Sequence, residues 1–267
     1  MHQTAFNLAI LAYICAAGLA LAHLIQRQEW VHRVTSVVIG AGWVLHTLAL
    51  LASAIGTGRP PLQSLPESMS VAVWVVVLFE MWAERQYRLP VLGAFVYPVI
   101  VGLALKATAP RPIALGGALQ SAWVWVHIAL ALVGIAAFVL NFAGAIMYLL
   151  QEHQIKLKRP GAFYYRLPAL ETLDRLTYQT LALGFPFLTT GLILGMLSAP
   201  ASWGSLFAFD PLALLSIVAW VIYAGTLAGR AAAGWHGRRA AYFAIAGFAA
   251  LVITLGAGLV LPGRHGS

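Results

Sequence analysis

The stretch AWVWVHIALALVGIAAFVLNFAGAIMYLL, residues 122–150, decides the fold class of this chain. It contains no Asp, Glu, Lys or Arg over its whole length. A helix needs about 20 apolar residues to cross the hydrocarbon core of a bilayer. Backbone polar groups in that core must be satisfied within the segment, so the stretch is predicted to form a transmembrane helix.

Seven further apolar segments lie on either side of this stretch, and they predict an all-α, polytopic membrane protein with about eight transmembrane helices. Of the 267 residues, 61% are hydrophobic and 9% are charged, whereas soluble domains carry about 25% charged residues. We expect a single transmembrane domain over residues 1–267. The other segments are roughly 4–25, 34–56, 68–82, 89–107, 177–198, 211–229 and 240–261.

The basic residues set the predicted orientation of these helices. Twelve of the 16 Lys and Arg residues lie in the connections that share one side of the membrane when the N-terminus is outside. Because positive residues favour the cytoplasmic side, both termini are predicted on the outer, periplasmic side of a bacterial inner (plasma) membrane. The net charge of +8 is explained by these basic residues, which set the orientation of the chain in the lipid bilayer. Nucleic acid is therefore not predicted as a partner.

Three histidines are candidates for binding a metal within this arrangement. His127 lies near the outer end of the fifth segment, and His265 follows the eighth segment on the same side. His46 lies twelve residues into the second segment, about 18 Å deep and so near the bilayer midplane. Imidazoles from two helices are suitable axial ligands for haem iron. A zinc site is less consistent with the sequence, because no carboxylate or thiolate triad accompanies the histidines.

Aromatic residues accompany the two outer histidines and could form the apolar walls that a haem requires. Trp123 precedes His127 by one helical turn, and the stretch SWGSLFAFDPLALLSIVAW, residues 202–220, contains Trp203, Phe207 and Phe209. Tryptophans also anchor helices at membrane interfaces, and that interpretation remains open for Trp123 and Trp203.

Several polar residues near helix ends have a structural interpretation. Asp210 followed by Pro211 predicts the start of the seventh helix, and Glu67 is predicted in the first turn of the third. Glu80 and Glu84 are predicted at the inner end of the third helix, without a special role. For His46, the alternative to a ligand is a neutral imidazole hydrogen-bonded to a neighbouring helix.

Three stretches, in this order, resemble the CcsA/CcmC family of haem-handling membrane proteins of cytochrome c assembly. The first, LHTLALLASAIGTGRPPLQSLPESMSVAVW (45–74), has an intramembrane histidine, then a proline-containing loop and a Glu-Ser pair. The second, WVWVHIALALVGIAAF (123–138), has the first external histidine. The third, GWHGRRAAYFAIAGFAALVITLGAGLVLPGRH (234–265), ends in the second external histidine. The chain is most similar to the small eight-helix branch of this family, which includes the HemX-like proteins.

The stretch WGSLFAFDPLALL (203–215) resembles a degenerate form of the tryptophan-rich loop of this family, WGxxWxWDPKE. Trp203 and Asp210 match the family pattern, whereas Phe207 and Phe209 replace two tryptophans. The phenylalanines keep a stacking face but lack the indole N–H donor. The second intramembrane histidine of some family members also has no counterpart here, because Leu227-Ala228 stands in place of a Leu-His pair.

The resemblance implies that non-covalent haem b is held between His127 and His265 at the outer face, with His46 as a further ligand. It implies a haem-handling protein, or a subunit of a cytochrome c haem lyase, rather than a complete enzyme. The implied partners are apocytochrome c and a membrane protein with a periplasmic domain. Two alternatives remain, which are a HemX-like haem-sensing regulator of tetrapyrrole biosynthesis and a permease subunit of an exporter.

Overall fold

The computed structural model describes residues 2–62, 64–108, 122–157, 161, 164–203 and 211–260, and these residues form eight α-helices. The predicted all-α class is thereby confirmed, with one helix for each apolar segment. The helices are α1 (His2–Gln26), α2 (Glu29–Thr57), α3 (Leu65–Tyr87), α4 (Gly93–Ala107), α5 (Ala122–Lys156), α6 (Leu170–Trp203), α7 (Pro211–Ala232) and α8 (Arg238–Val260).

Seven of the helices in these ranges are long and apolar enough to cross a membrane. The exception is α4, whose 15 residues extend over about 22 Å and do not reach across a hydrocarbon core of about 30 Å. The apolar segment predicted there begins at residue 89. In the structure, Arg88 adopts a left-handed conformation with φ 53°, and the residues that follow form turns before α4 begins.

Two helix starts confirm predictions made from polar residues. The hydroxyl of Ser64 caps α3 by accepting a hydrogen bond of 3.2 Å from the backbone N–H of Glu67, which lies in the first turn as predicted. Pro66 occupies one of the first two helical positions, where no N–H donor is needed. The seventh helix begins at Pro211, as the Asp-Pro pair predicts.

The chain divides into two compact units. The first contains α1 to α4, in which α1 packs against α2 and α4, and α3 packs against α4. Gly42 of α2 permits the close approach of α1, because a Cβ at this position would lie 2.9 Å from the Cβ of Ala12. The second unit contains α5, as far as Glu152, together with α6, α7 and α8.

Within the second unit, α5 and α6 pack side by side in antiparallel directions. Gly134 of α5 lies against the backbone of α6, where an added Cβ would be 3.3 Å from the N atom of Leu188. Further along, the side-chain amide of Asn141 donates a hydrogen bond of 2.6 Å to the carbonyl of Thr177. Small residues and interhelical hydrogen bonds of this kind are what hold helices together in a membrane.

A second group of polar contacts joins α6 to α7 and to the turn before α8. One carboxylate oxygen of Asp174 lies 2.7 Å from Nη2 of Arg230, and the other accepts a hydrogen bond of 3.1 Å from the backbone N–H of Gly237. The guanidinium of Arg230 also lies over the ring of Tyr178, 5.0 Å from its centroid. Arg230 is buried, so its charge depends on these partners.

Replacement of Asp174 by alanine is expected to lower the free energy of unfolding of the second unit by about 2 kcal/mol. The change leaves the buried guanidinium of Arg230 without its carboxylate, and the partial exposure of Asp174 keeps the loss below that of a fully buried pair. Thermal unfolding in detergent measures the effect. The matched control is Glu171→Ala, an exposed acid in the first turn of the same helix, which should change stability by less than about 0.5 kcal/mol.

Candidate functional site

His127, predicted as a metal ligand, lies in the second turn of α5 and is partly buried against α6. Its Nδ1 lies 2.5 Å from the carbonyl oxygen of Gly191. Because a carbonyl only accepts hydrogen bonds, Nδ1 must carry the proton, and Nε2 then keeps its lone pair. This contact fixes the tautomer of a histidine that could bind a metal through Nε2.

Two glycines of α6 form the surface on which this imidazole rests. Gly191 provides the accepting carbonyl, and Gly195 lies one turn further on, where an added Cβ would be 2.7 Å from Cε1 of His127. Neither glycine was predicted from the sequence as part of the site. The signal was present in GLILG, residues 191–195, because two glycines four positions apart allow a second helix to approach closely.

Trp123 stands one helical turn before His127, on the same face of α5, and is 65% exposed. Its ring therefore extends the surface around the imidazole and remains available to a ligand or to lipid. The neighbouring Trp125 points elsewhere on the helix. Its indole Nε1 is buried and has no hydrogen-bond partner among the described residues.

The remaining residues predicted at this site fall at or beyond the limits of the described ranges. Helix α6 ends at Trp203. Phe207, Phe209 and Asp210 lie outside the described residues, and so does His265. In the part of the chain that the structure describes, no three His, Cys, Asp or Glu side chains are grouped closely enough to hold a metal ion.

His46 is in a different environment, in the first unit and fully buried. Its Nδ1 lies 3.1 Å from the hydroxyl of Tyr13 on α1, and its Nε2 lies 2.8 Å from the hydroxyl of Ser70 on α3. The ring of Phe6 packs at 5.1 Å between centroids. Both nitrogens are thus engaged, and a metal could bind only after one hydrogen bond is broken. These contacts are those of an imidazole that joins three helices.

Replacement of His46 by alanine is expected to lower the free energy of unfolding by about 2 kcal/mol, because two buried hydroxyls lose their partner. The loss should be seen as a lower melting temperature in detergent. His153→Ala, an exposed histidine on α5, serves as the control and should leave the melting temperature unchanged. An unaltered melting temperature in the His46 variant would show that its hydrogen bonds contribute little.

Glu80, predicted near the end of the third helix, lies in the C-terminal half of α3. Its side chain is fully buried, and Oε2 accepts a hydrogen bond of 3.1 Å from the hydroxyl of Tyr97 on α4. The signal was a pair of acids four residues apart inside VWVVVLFEMWAER, residues 73–85. A carboxyl group within a transmembrane helix is costly and is therefore a candidate for function.

These features define a multi-pass membrane protein in which the imidazole of His127 is held by a hydrogen bond at the end of a helix pair. The chain belongs to the Cytochrome C assembly protein family, whose profile matches residues 62–265. The matched region includes His127, residues 203–210 and His265, whereas His46 lies before it. Cytochrome c assembly is therefore the process in which this membrane protein acts, and such assembly involves the handling of haem.

Individual relatives cover most of the chain and agree with this membership. The chain is 27% identical to the cytochrome c biogenesis protein CcsA of Guillardia theta, over 86% of this chain and 80% of the relative. It is 29% identical to that of Synechococcus sp. (strain CC9311), over 78% and 79% of the two chains. For that of Microcystis aeruginosa the identity is 26%, over 97% and 88%. The predicted bacterial plasma membrane fits the Synechococcus and Microcystis relatives.

Proposed function

We propose that this chain binds non-covalent haem b at the outer face of the membrane and presents it for attachment to apocytochrome c. His127 and His265 are the axial ligands of the iron in this proposal, and Trp123, Trp203, Phe207 and Phe209 lie beside the porphyrin. The observation that carries the proposal is the hydrogen bond from Nδ1 of His127 to the carbonyl of Gly191. It leaves Nε2 as the ligating atom.

The residues around His127 suit haem in three respects. A neutral imidazole with a fixed tautomer is a common axial ligand of haem iron. His127 is partly buried rather than enclosed, so part of the residue remains accessible. Trp123 provides an exposed aromatic surface one turn away, which matches the apolar face of a porphyrin. The side of the membrane is proposed from the distribution of basic residues.

His46 has a separate role in this proposal. Its two hydrogen bonds, to Tyr13 and Ser70, support the interpretation of a structural imidazole, and haem binds without it. Asp210 is proposed to end the loop and begin α7, which starts at the next residue. The loop residues then contact haem mainly through Phe207 and Phe209, whose rings stack but donate no hydrogen bond.

Haem is the cargo of the protein in this proposal. When bound, it supplies the vinyl groups that react with the cysteine thiols of apocytochrome c. The chain holds haem through imidazole and excludes water with apolar side chains. A partner membrane protein with a periplasmic domain completes the assembly.

The absorption spectrum of the purified protein, oxidised and reduced, tests the proposal. We expect the spectrum of a low-spin, bis-histidine b-type haem, weakened by His265→Ala and retained in His46→Ala. A host that lacks the gene should fail to accumulate cytochrome c. A colourless protein that takes up no added haem would contradict the proposal. A soluble partner bound at residues 151–176 would then favour the regulator, and a co-purifying ATPase would favour the permease subunit.

A further inference from the structure

The first unit contains a second group of titratable side chains, at the ends of α2 and α3 near the α1–α2 turn. Glu80 is its innermost member and is fully buried, with its Oε2 bound by Tyr97 at 3.1 Å. Its other oxygen, Oε1, has no hydrogen-bond donor among the described residues. A buried carboxylate in this state is unfavourable, whereas a carboxyl that carries a proton on Oε1 becomes a donor itself.

Glu84 lies one helical turn after Glu80 on the same face of α3, so the two carboxyl groups are neighbours. Two ionised carboxylates have only acceptor atoms, so a hydrogen bond between them requires one shared proton. Glu84 is partly exposed and lies near the guanidinium of Arg85, whereas Glu80 faces Tyr97 and apolar neighbours. The proton therefore belongs on Glu80, and the negative charge belongs on Glu84.

Histidines extend this pair to the surface of the protein. Nε2 of His32 lies 3.5 Å from Oε1 of Glu84, and the His32 side chain is 21% exposed. The ring of His23 packs against that of His32 at 5.2 Å between centroids, and Nδ1 of His23 lies 3.1 Å from the carbonyl of Gln28 in the turn. Glu29, in the first turn of α2, is a further charged group close to His32, and Arg33 follows His32 in the chain. A histidine in this position can pass a proton between water and a carboxylate.

We propose that Glu80 and Glu84 form an intramembrane proton-binding site, which exchanges its proton with water at the α1–α2 turn through His32. Tyr97 lies at the buried end of the site. Its hydroxyl comes from α4 and donates to Oε2 of Glu80, and this hydrogen bond ties α3 to α4. Removal of the proton would place two negative charges one helical turn apart. This is unfavourable because like charges repel and because Glu80 is buried between α3 and α4, away from water.

Infrared spectroscopy of the carboxyl C=O stretch tests the site in purified protein, in a detergent without ester groups. At neutral pH the wild type should show a protonated-carboxyl band that is absent in Glu80→Gln. The band should persist at a shifted frequency in Glu84→Gln. The matched control is Glu171→Gln, which removes an exposed carboxyl from the second unit and should leave the band unchanged. A wild type without the band, or a band that survives Glu80→Gln, would overturn the proposal.

Two further variants test the tyrosine contact and the exchange route. Tyr97→Phe removes the donor to Oε2, so the band should shift, and this result also decides the matter if Glu80→Gln does not fold. An unshifted band in that variant would count against the site. His32→Phe should slow hydrogen–deuterium exchange of the band by about 100-fold. Exchange at the wild-type rate would refute the route through His32.

Discussion

Replacement of His127 by glycine is expected to weaken haem binding by more than about 100-fold, which exceeds the effect of losing only an outer hydrogen bond to a metal ligand. The change removes the proposed axial ligand and leaves a space beside Gly191 and Gly195. Free imidazole added to the variant can enter that space and should restore the low-spin spectrum. Haem titration followed by visible absorption measures both effects.

The control for this prediction is His153→Gly, in which the same substitution is made at an exposed histidine near the other end of α5. It introduces the same helix-weakening glycine, worth about 1 kcal/mol, without touching the site. Haem affinity should stay within about twofold of the wild type in this control. If the His127 variant binds haem as tightly as the control, another residue is the ligand.

Replacement of Gly195 by alanine is expected to weaken haem binding by about 10- to 100-fold, although residue 195 touches no haem in the proposal. The new Cβ would lie 2.7 Å from Cε1 and 3.0 Å from Nδ1 of His127, so the imidazole must move. That movement lengthens the hydrogen bond to Gly191 and turns Nε2 away from its position. Haem titration and the spin state of the bound iron report the change.

An alanine in a helix is intrinsically more stable than a glycine by about 1 kcal/mol, so a lower haem affinity in this variant cannot come from a weaker helix. The matched control is Gly225→Ala in α7, where an added Cβ meets nothing within 4 Å. That variant should bind haem as the wild type does. Equal affinities in the two variants would show that the position of His127 does not depend on Gly195.

The two predictions test separate parts of the proposed site. The His127 substitution asks which atom binds iron, and the Gly195 substitution asks how that atom is positioned. If His127 binds the iron but its position does not depend on Gly195, the His127 substitution should weaken haem binding strongly and the Gly195 substitution should not. A site elsewhere in the chain would give neither, and the spectrum of His46→Ala would then show whether the second helix holds the haem.

Local sequence features predicted the helices well because the bilayer imposes a simple rule on them. Each apolar segment of sufficient length must satisfy its own backbone, so composition alone indicates a helix. Glu67 was correctly predicted in the first turn of α3, and the start of α7 followed from Asp210 and Pro211, since capping depends on neighbouring residues. The start of the short α4 was harder to predict from the sequence, because the turns after Arg88 have the same apolar composition as the helix.

The sequence by itself therefore determined the all-α membrane class, the eight helices and the set of histidines from which a site could be chosen. Only the tertiary structure decided which nitrogen of His127 is free, how Tyr13 and Ser70 engage His46, and that Glu80 is buried against Tyr97. The physical reason is the range of the interactions. Helix formation depends on residues within about one turn, whereas protonation and ligand geometry depend on atoms brought together from other helices.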